Sequence, residues 1–77
     1  MYNKAKIYLK KSCPYCEKAK LLLKKYNIIY EKIFVEKNNH DFLKMIQKSG
    51  RKTVPQVFIN EKHIGGYDDL KLFLKEK

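Results

Sequence analysis

Apolar and polar residues alternate at the start of the chain, which is the period of a β-strand. In residues 4–9, Ala5, Ile7 and Leu9 fall on one face, while two lysines and Tyr8 fall on the other. Three later segments are rich in β-branched and aromatic residues or follow a turn, so they are also predicted to be strands. These segments are residues 28–35, residues 54–60 and the pair His63 and Ile64.

The segment between the first two strands has helical character. Pro14 fits the first turn of a helix, where its missing N–H costs nothing. Residues 17–26 are rich in Lys, Leu and Ala, which are strong helix formers. Spacings of three and four predict a core-facing stripe on this helix, formed by Ala19, Leu22, Leu23 and Tyr26.

Two further helices are predicted from capping residues and apolar spacing. Asn38 or Asn39 caps a short helix that contains three apolar residues and ends just before Gly50. Asp68 or Asp69 starts the last helix, which ends among lysines. The residues of this last helix that are predicted to point inward are Leu70, Phe73 and Leu74.

The resulting order is β-α-β-α-β-β-α. A β-α-β opening implies a parallel strand pair, and the closing hairpin adds an antiparallel pair. The predicted fold is therefore α/β, with a four-stranded mixed sheet and three helices against it. The chain has 77 residues, which suffices for one core, so residues 1–77 are predicted to form a single domain.

The chain is strongly basic, with 18 Lys and Arg residues against 8 Asp and Glu and a net charge of +10. Such a charge suggests nucleic-acid binding, but the lysines fall on every predicted element instead of clustering on one face. We therefore expect no nucleic-acid partner. No apolar run approaches the length of a signal peptide or a membrane span, so we expect no membrane association and a reducing cytoplasm as the location.

Two cysteines are too few for the disulfide scaffold of a small secreted domain. Cys13 and Cys16 flank Pro14 and Tyr15 directly after the first strand, and residues three apart share one face of a helical turn. The helix N-terminus and nearby lysines favour a thiolate at Cys13. The spacing predicts a redox pair in which Cys13 attacks and Cys16 resolves.

Two structural alternatives stand beside this prediction. A structural zinc site needs four ligands, and His40 and His63 are too far apart in sequence for finger spacing, so we expect no metal. The cysteines would otherwise be an inert pair. Both histidines are expected to be surface or hairpin residues.

Four pieces of sequence together resemble the dithiol glutaredoxins over nearly the whole chain. They are Lys10 three residues before Cys13, the Cys13-Pro14-Tyr15-Cys16 motif, Thr53-Val54-Pro55, and Gly65-Gly66 followed by Asp68-Asp69. The resemblance implies a thioredoxin-like fold with Pro55 preceded by a cis peptide bond. It also implies a glutathione-dependent enzyme that reduces glutathione mixed disulfides and protein disulfides, with glutathione as co-substrate and no permanently bound cofactor.

The resemblance also implies a glutathione site. In it Lys10 and Gln47 contact the glycyl carboxylate, and Tyr15 packs near the mixed disulfide. Val54 holds the cysteinyl backbone, and Pro55 turns the Val54 backbone toward the sulfurs. Thr53 is a further glutathione-binding residue. The γ-glutamyl end lies against Gly66, Tyr67 and Asp68. Taken singly, Lys10 reads as a solvated lysine, Gln47 as a surface residue and Asp68 as a helix cap. Tyr67 departs from the family pattern, which has Ser, Thr or Cys there, and its ring would narrow or cover the site.

The implied partners are glutathione and glutathionylated or disulfide-containing proteins, with a ribonucleotide reductase as one candidate, and the chain is expected to be a monomer. Two rival functions use the same cysteines. One is electron donation to a dedicated reductase without glutathione. The other is iron–sulfur cluster carriage between two subunits, for which Pro14 and Tyr15 are an unusual setting.

Overall fold

The structure is a computed structural model that describes residues 4–36 and 39–75. Its elements follow the predicted order and confirm the α/β class. In chain order they are β1 (Ala5–Leu9), α1 (Pro14–Lys25), β2 (Tyr30–Phe34), α2 (His40–Ser49), β3 (Gln56–Ile59), β4 (Lys62–Gly65) and α3 (Tyr67–Lys75). Asn38, the alternative cap of the second helix, lies outside the described residues.

The four strands form one mixed sheet in the order β2-β1-β3-β4. The β1 strand pairs in parallel with β2 and antiparallel with β3, and β3 pairs antiparallel with β4. Helices cover both faces of β1, so Tyr8 is as deeply buried as Ile7. The predicted alternation therefore identified the strand, but the Tyr8 face is not a solvent face.

A hydrophobic cluster lies on each side of the sheet. The larger one joins β1 and β3 to residues of α1 and α3, including Leu23 and Leu70. The smaller one contains Tyr8, Met45 and Phe58, and so joins the sheet to α2. The helices thus cover both faces, with α1 and α3 side by side on one of them.

Two helix predictions are wrong in detail. Tyr26 does not face the core: it is 42% exposed, because α1 ends at Lys25 and the Tyr26 N–H turns back to the Leu22 carbonyl. Neither Asp68 nor Asp69 starts the last helix, which begins at Tyr67. Asp68 is therefore not a helix cap.

The first three strands are shorter than predicted, and β3 begins at Gln56 instead of Val54. Pro55 has no N–H to donate to a strand ladder, which accounts for this start. The fourth strand is longer than the predicted pair and spans Lys62–Gly65. The α2 helix is capped as predicted: the Asn39 side chain accepts from the Phe42 N–H at 2.7 Å, and Gly50 ends it in a left-handed conformation. Within the described residues, no helix combines the length and apolar character of a membrane span.

Candidate active site

The cysteine pair lies where β1 passes into α1. Cys13 is the N-cap of the helix, and its Sγ accepts a hydrogen bond from the Cys16 N–H at 3.2 Å. Pro14 follows at the first helical position, as predicted. Both cysteines are free, but Cys13 is half-buried whereas Cys16 is 0% exposed. An attacking reagent therefore reaches the Cys13 sulfur first.

The two sulfurs also differ in electrostatic surroundings. Cys13 accepts an N–H at the positive end of α1, an arrangement that suits an anion. Burial raises the pKa of the Cys16 thiol to about 12, and its hydrogen bond with Cys13 acts in the same direction. Cys16 is therefore a neutral thiol near pH 7, and the geometry suits the predicted roles of Cys13 and Cys16 as attacking and resolving groups.

A cavity of about 310 Å³ gathers most of the predicted glutathione-site residues. The residues from the prediction that line it are Tyr15, Thr53, Val54, Pro55, Gly66, Tyr67 and Asp68. The Val54–Pro55 peptide bond is cis, as the resemblance implies. Arg51 and Gln56 also line the cavity but were not predicted as site residues.

Lys10 and Gln47 lie outside this cavity lining. Lys10 lines a separate depression of about 330 Å³ beside Phe34 and Glu36, and its Nζ lies 5.6 Å from the centre of the Phe42 ring. Gln47 is exposed on α2. Their predicted contact with a glycyl carboxylate stays a prediction.

The start of α3 forms one wall of the cavity. The Gly66 carbonyl accepts the first helical hydrogen bond from the Leu70 N–H, and the Gly66 N–H donates to the Asp69 carboxylate at 3.1 Å. Arg51 donates to the same carboxylate oxygen at 2.9 Å. These two hydrogen bonds, with that of Arg51 the larger cause, hold the pKa of Asp69 below its usual value.

The capping role of Asp69 was missed, although an acidic residue three positions after a helix cap is a recognisable signal. Gly65, with φ +128°, lies against this carboxylate, and a Cβ at Gly65 would overlap Asp69. The start of α3 thus depends on Gly65 and Asp69, which both belong to the motif of two glycines and two aspartates.

Tyr67 packs against Tyr15 at the mouth of the site. Their ring centres are 5.9 Å apart, and the Lys18 Nζ lies 5.0 Å from the Tyr15 ring and 6.0 Å from the Tyr67 ring. Such contacts between a cation and an aromatic ring are attractive. Tyr15 and Tyr67 together form an aromatic wall of the cavity.

Gln56 and His63 form a polar network that the sequence did not reveal. Gln56 is 1% exposed, and its Nε2 donates to the Thr53 carbonyl at 3.1 Å. Its Oε1 lies 2.8 Å from the His63 Nε2. His63 lies in the β3–β4 hairpin as expected, but it is half-buried. Burial, and then the charge of Arg51, lowers the pKa of His63.

Metal-ligating side chains do not gather elsewhere in the described part of the chain. Across residues 4–36 and 39–75, no group of three or more His, Cys, Asp or Glu side chains is placed to hold a metal ion.

Sequence comparison identifies close relatives. The sequence profile of the glutaredoxin family matches residues 5–64. Glutaredoxin 3 of Escherichia coli K12 is 47% identical over 64 residues, covering 83% of this chain and 77% of that protein. Glutaredoxin 1 of Rickettsia prowazekii is 54% identical over 72 residues, covering 91% of this chain and 76% of that protein.

Structural comparison gives the same result. A glutaredoxin from Brucella melitensis, solved in solution, superposes with a TM-score of 0.80 at 36% identity, covering 97% of this chain and 82% of that one. Reduced Escherichia coli glutaredoxin also gives 0.80, at 32% identity and coverage of 96% and 95%. A buckwheat glutaredoxin–glutathione complex gives 0.80 at 30% identity, with coverage of 94% and 68%.

Proposed function

The chain belongs to the glutaredoxin family and has its thioredoxin-like fold, and from this premise we propose that it is a glutathione-dependent oxidoreductase. Its relatives identify it as a thiol oxidoreductase of the glutaredoxin type, and its sequence has two close cysteines. The observation that supports the proposal best is the contrast between an accessible Cys13 at a helix N-terminus and a buried Cys16.

The proposed reaction on a glutathione mixed disulfide has two exchange steps. The Cys13 thiolate attacks the glutathione sulfur, the substrate's S–S bond breaks, and the protein thiol leaves as a thiolate that takes up a proton. A second glutathione thiolate then attacks the sulfur of glutathione bound to Cys13. Oxidised glutathione is released and the Cys13 thiolate is regenerated, so two glutathione sulfurs are joined for each substrate disulfide reduced.

Protein disulfides take a different second step. Cys13 attacks the disulfide and forms a mixed disulfide with the protein. The Cys16 sulfur then attacks the Cys13 sulfur as its thiol gives up a proton. The bond between Cys13 and the protein breaks, the protein thiolate takes up a proton and leaves, and a Cys13–Cys16 bond remains. Two further glutathione molecules reduce the Cys13–Cys16 bond in two exchange steps, restore the dithiol and leave as oxidised glutathione. The burial of Cys16 supports this division, because only a partner already joined to Cys13 lies within its reach.

Glutathione carries two carboxylates and one ammonium group, and the cavity has groups that match them. The start of α3 offers N–H groups for the γ-glutamyl carboxylate, and Asp68 offers an anion for the ammonium. The Val54 backbone pairs with the cysteinyl residue, as an added strand does. Lys10 and Gln47 complete the site at the glycyl end, where the peptide extends beyond the cavity.

The proposal extends to partners and setting. Glutathionylated and disulfide-containing proteins are the substrates, a ribonucleotide reductase is one candidate, and the enzyme acts as a monomeric single domain of residues 1–77. A dithiol reductant requires a reducing compartment, for which we propose the cytoplasm.

A coupled assay with a glutathionylated peptide tests the proposal on wild type, Cys13→Ser and Cys16→Ser. We expect turnover to require both glutathione and Cys13, and to survive in the Cys16→Ser enzyme. Turnover of the wild type without glutathione, driven by a dedicated reductase, would instead establish the rival electron-donor function.

Alkylation of the single-cysteine variants tests the assignment of roles. Burial is the largest cause of the raised pKa of Cys16, and burial persists when Cys13 is replaced, so little of Cys16 is a thiolate at pH 8. Cys13→Ser should therefore react with iodoacetamide far more slowly than Cys16→Ser. Fast alkylation of Cys16 would contradict the assignment.

A further inference from the structure

The loop before the cis proline is held from its buried side by one side chain. The Gln56 Nε2 donates to the Thr53 carbonyl at 3.1 Å and lies 3.4 Å from the Thr53 hydroxyl. A carbonyl oxygen only accepts, so the amide nitrogen faces Thr53 and the amide oxygen faces His63. The His63 Nε2, 2.8 Å away, must then be the donor. His63 therefore fixes the Gln56 amide, and Gln56 fixes the Thr53 carbonyl.

This arrangement also determines where the next peptide N–H points. The Thr53–Val54 peptide bond is trans, and in a trans peptide the C=O and the following N–H point in opposite directions. With the Thr53 carbonyl held toward buried Gln56, the Val54 N–H is turned away from the protein interior. The structure records no acceptor for the Val54 N–H among the described residues.

We propose that Gln56 and His63 are positioning residues that present the Val54 N–H to a peptide-like ligand by holding the Thr53 carbonyl on the buried side of the loop. Gln56 lines the cavity but is 1% exposed, and its amide is engaged by Thr53 and His63, so the proposed action of both residues runs through the Thr53 carbonyl. The inference rests on the proposed function, because it explains how the cavity keeps a backbone donor ready for glutathione.

The ring chemistry of His63 makes the network stable to protonation. In the neutral ring the single proton is on Nε2, and a second proton enters at Nδ1. The bond to Gln56 is present in both states. His63 therefore supports the loop in the manner of a fixed donor, and a side chain with a donor at the same place should replace it.

The kinetic test compares Gln56→Leu with Ile59→Ala. Leu fills the space of Gln56 without hydrogen bonds, while Ile59 is a buried residue at the far end of β3. We expect Gln56→Leu to raise the KM for a glutathionylated peptide by roughly three- to tenfold, the usual effect of losing one hydrogen bond. Its kcat, and the rate at which iodoacetamide alkylates Cys13, should change less than twofold.

Ile59→Ala serves as the control for stability. It should lower the melting temperature at least as much as Gln56→Leu and leave the KM unchanged. A wild-type KM in Gln56→Leu, or an equal rise in Ile59→Ala, would overturn the inference. Failure of the wild type to use the glutathionylated peptide would instead overturn the proposed function, so the two failures are distinguishable.

Two His63 variants and one spectroscopic measurement complete the test. His63→Phe keeps the ring beside Phe58 but lacks a donor, so its KM should rise, whereas His63→Gln supplies an amide N–H and should restore the wild-type KM. Nitrogen-15 NMR of the wild-type His63 ring should show the Nε2–H tautomer. An Nδ1–H tautomer would overturn the inference without any variant having to fold.

Discussion

The N-termini of α1 and α3 both lie at the site, but they are capped in opposite ways. At α1 the cap is a reactive side chain, since the Cys13 sulfur accepts an N–H of its own helix. At α3 the cap is Gly66, which has no side chain, and its N–H is satisfied by Asp69 three residues later. Under the proposed function, the first helix end stabilises the Cys13 thiolate, whereas the second offers its N–H groups to a carboxylate of glutathione.

The charged side chains near the two helix N-termini also differ. The acid at the start of α3 is paired with Arg51, so its negative charge is partly neutralised beside the expected carboxylate site. Lys10 and Lys11 precede Cys13, and both are exposed. Because exposed charges are screened over about 8 Å at physiological salt, a lysine affects the sulfur only from within about that distance.

Cys13→Ser removes the sulfur at the start of α1 and should have the largest effect. Without its nucleophile the enzyme should lose at least about a thousandfold in kcat/KM for a glutathionylated peptide. Cys16→Ser is the matched control and should stay within about threefold on this substrate while losing most activity on protein disulfides. Equal losses of both activities in Cys16→Ser would contradict the separate roles of the two thiols.

Gly65→Ala disturbs the start of α3. Its Cβ would overlap the Asp69 carboxylate, and the backbone conformation at Gly65 suits glycine alone. We expect a loss of about 2–4 kcal/mol in the free energy of unfolding, measured in urea. Gly50→Ala, at a left-handed position with open space around it, should lose only about 1–2 kcal/mol. Equal losses would show that the contact with Asp69 has no effect.

Asp69→Asn tests how much the Asp69 carboxylate stabilises the start of α3, and how that stabilisation depends on pH. It weakens both the cap on Gly66 and the pair with Arg51, and should lower the free energy of unfolding by roughly 1 kcal/mol at pH 7. Because folding lowers the pKa of Asp69, this stabilisation is present above about pH 4 and is lost as the pH falls through the folded-state value. The two proteins should therefore converge in acid, and a constant difference would point to another cause.

Tyr67→Ser should have the smallest effect. Removing the ring opens the cavity beside Tyr15, so the KM for glutathione should fall by roughly twofold, well under 1 kcal/mol in binding. The rate of Cys13 alkylation should not change. Tyr67→Phe keeps the ring and should resemble the wild type. An unchanged KM with altered alkylation would show that Tyr67 acts on the sulfur.

The sequence predicted the order of the elements and the cysteine chemistry because both depend on local patterns. The helix start at Cys13 could be predicted from Pro14 and the preceding strand. The start of α3 could not, because it depends on a hydrogen bond from Gly66 to Asp69 instead of on the first acidic residue. The alternation places Tyr8 on a polar face for a related reason, since only the fold shows that α2 covers that face of β1.

Most residues that line the cavity could be predicted from the sequence, but their geometry could not. Seven predicted residues do line one cavity, while Lys10 and Gln47 lie outside its lining. Gln56 follows the motif directly, yet its role depends on His63, seven residues away on the neighbouring strand. Such a contact exists only after β3 and β4 have paired, so no local pattern announces it.

The aromatic wall has a practical consequence for anyone who works with this protein. The chain has no tryptophan and six tyrosines, and two of those tyrosines, Tyr15 and Tyr67, line the cavity. A ligand that enters the cavity therefore changes the surroundings of a large share of the near-ultraviolet chromophores. Intrinsic fluorescence or near-ultraviolet circular dichroism should consequently report occupancy directly, with no label attached and no enzyme coupled to the reaction.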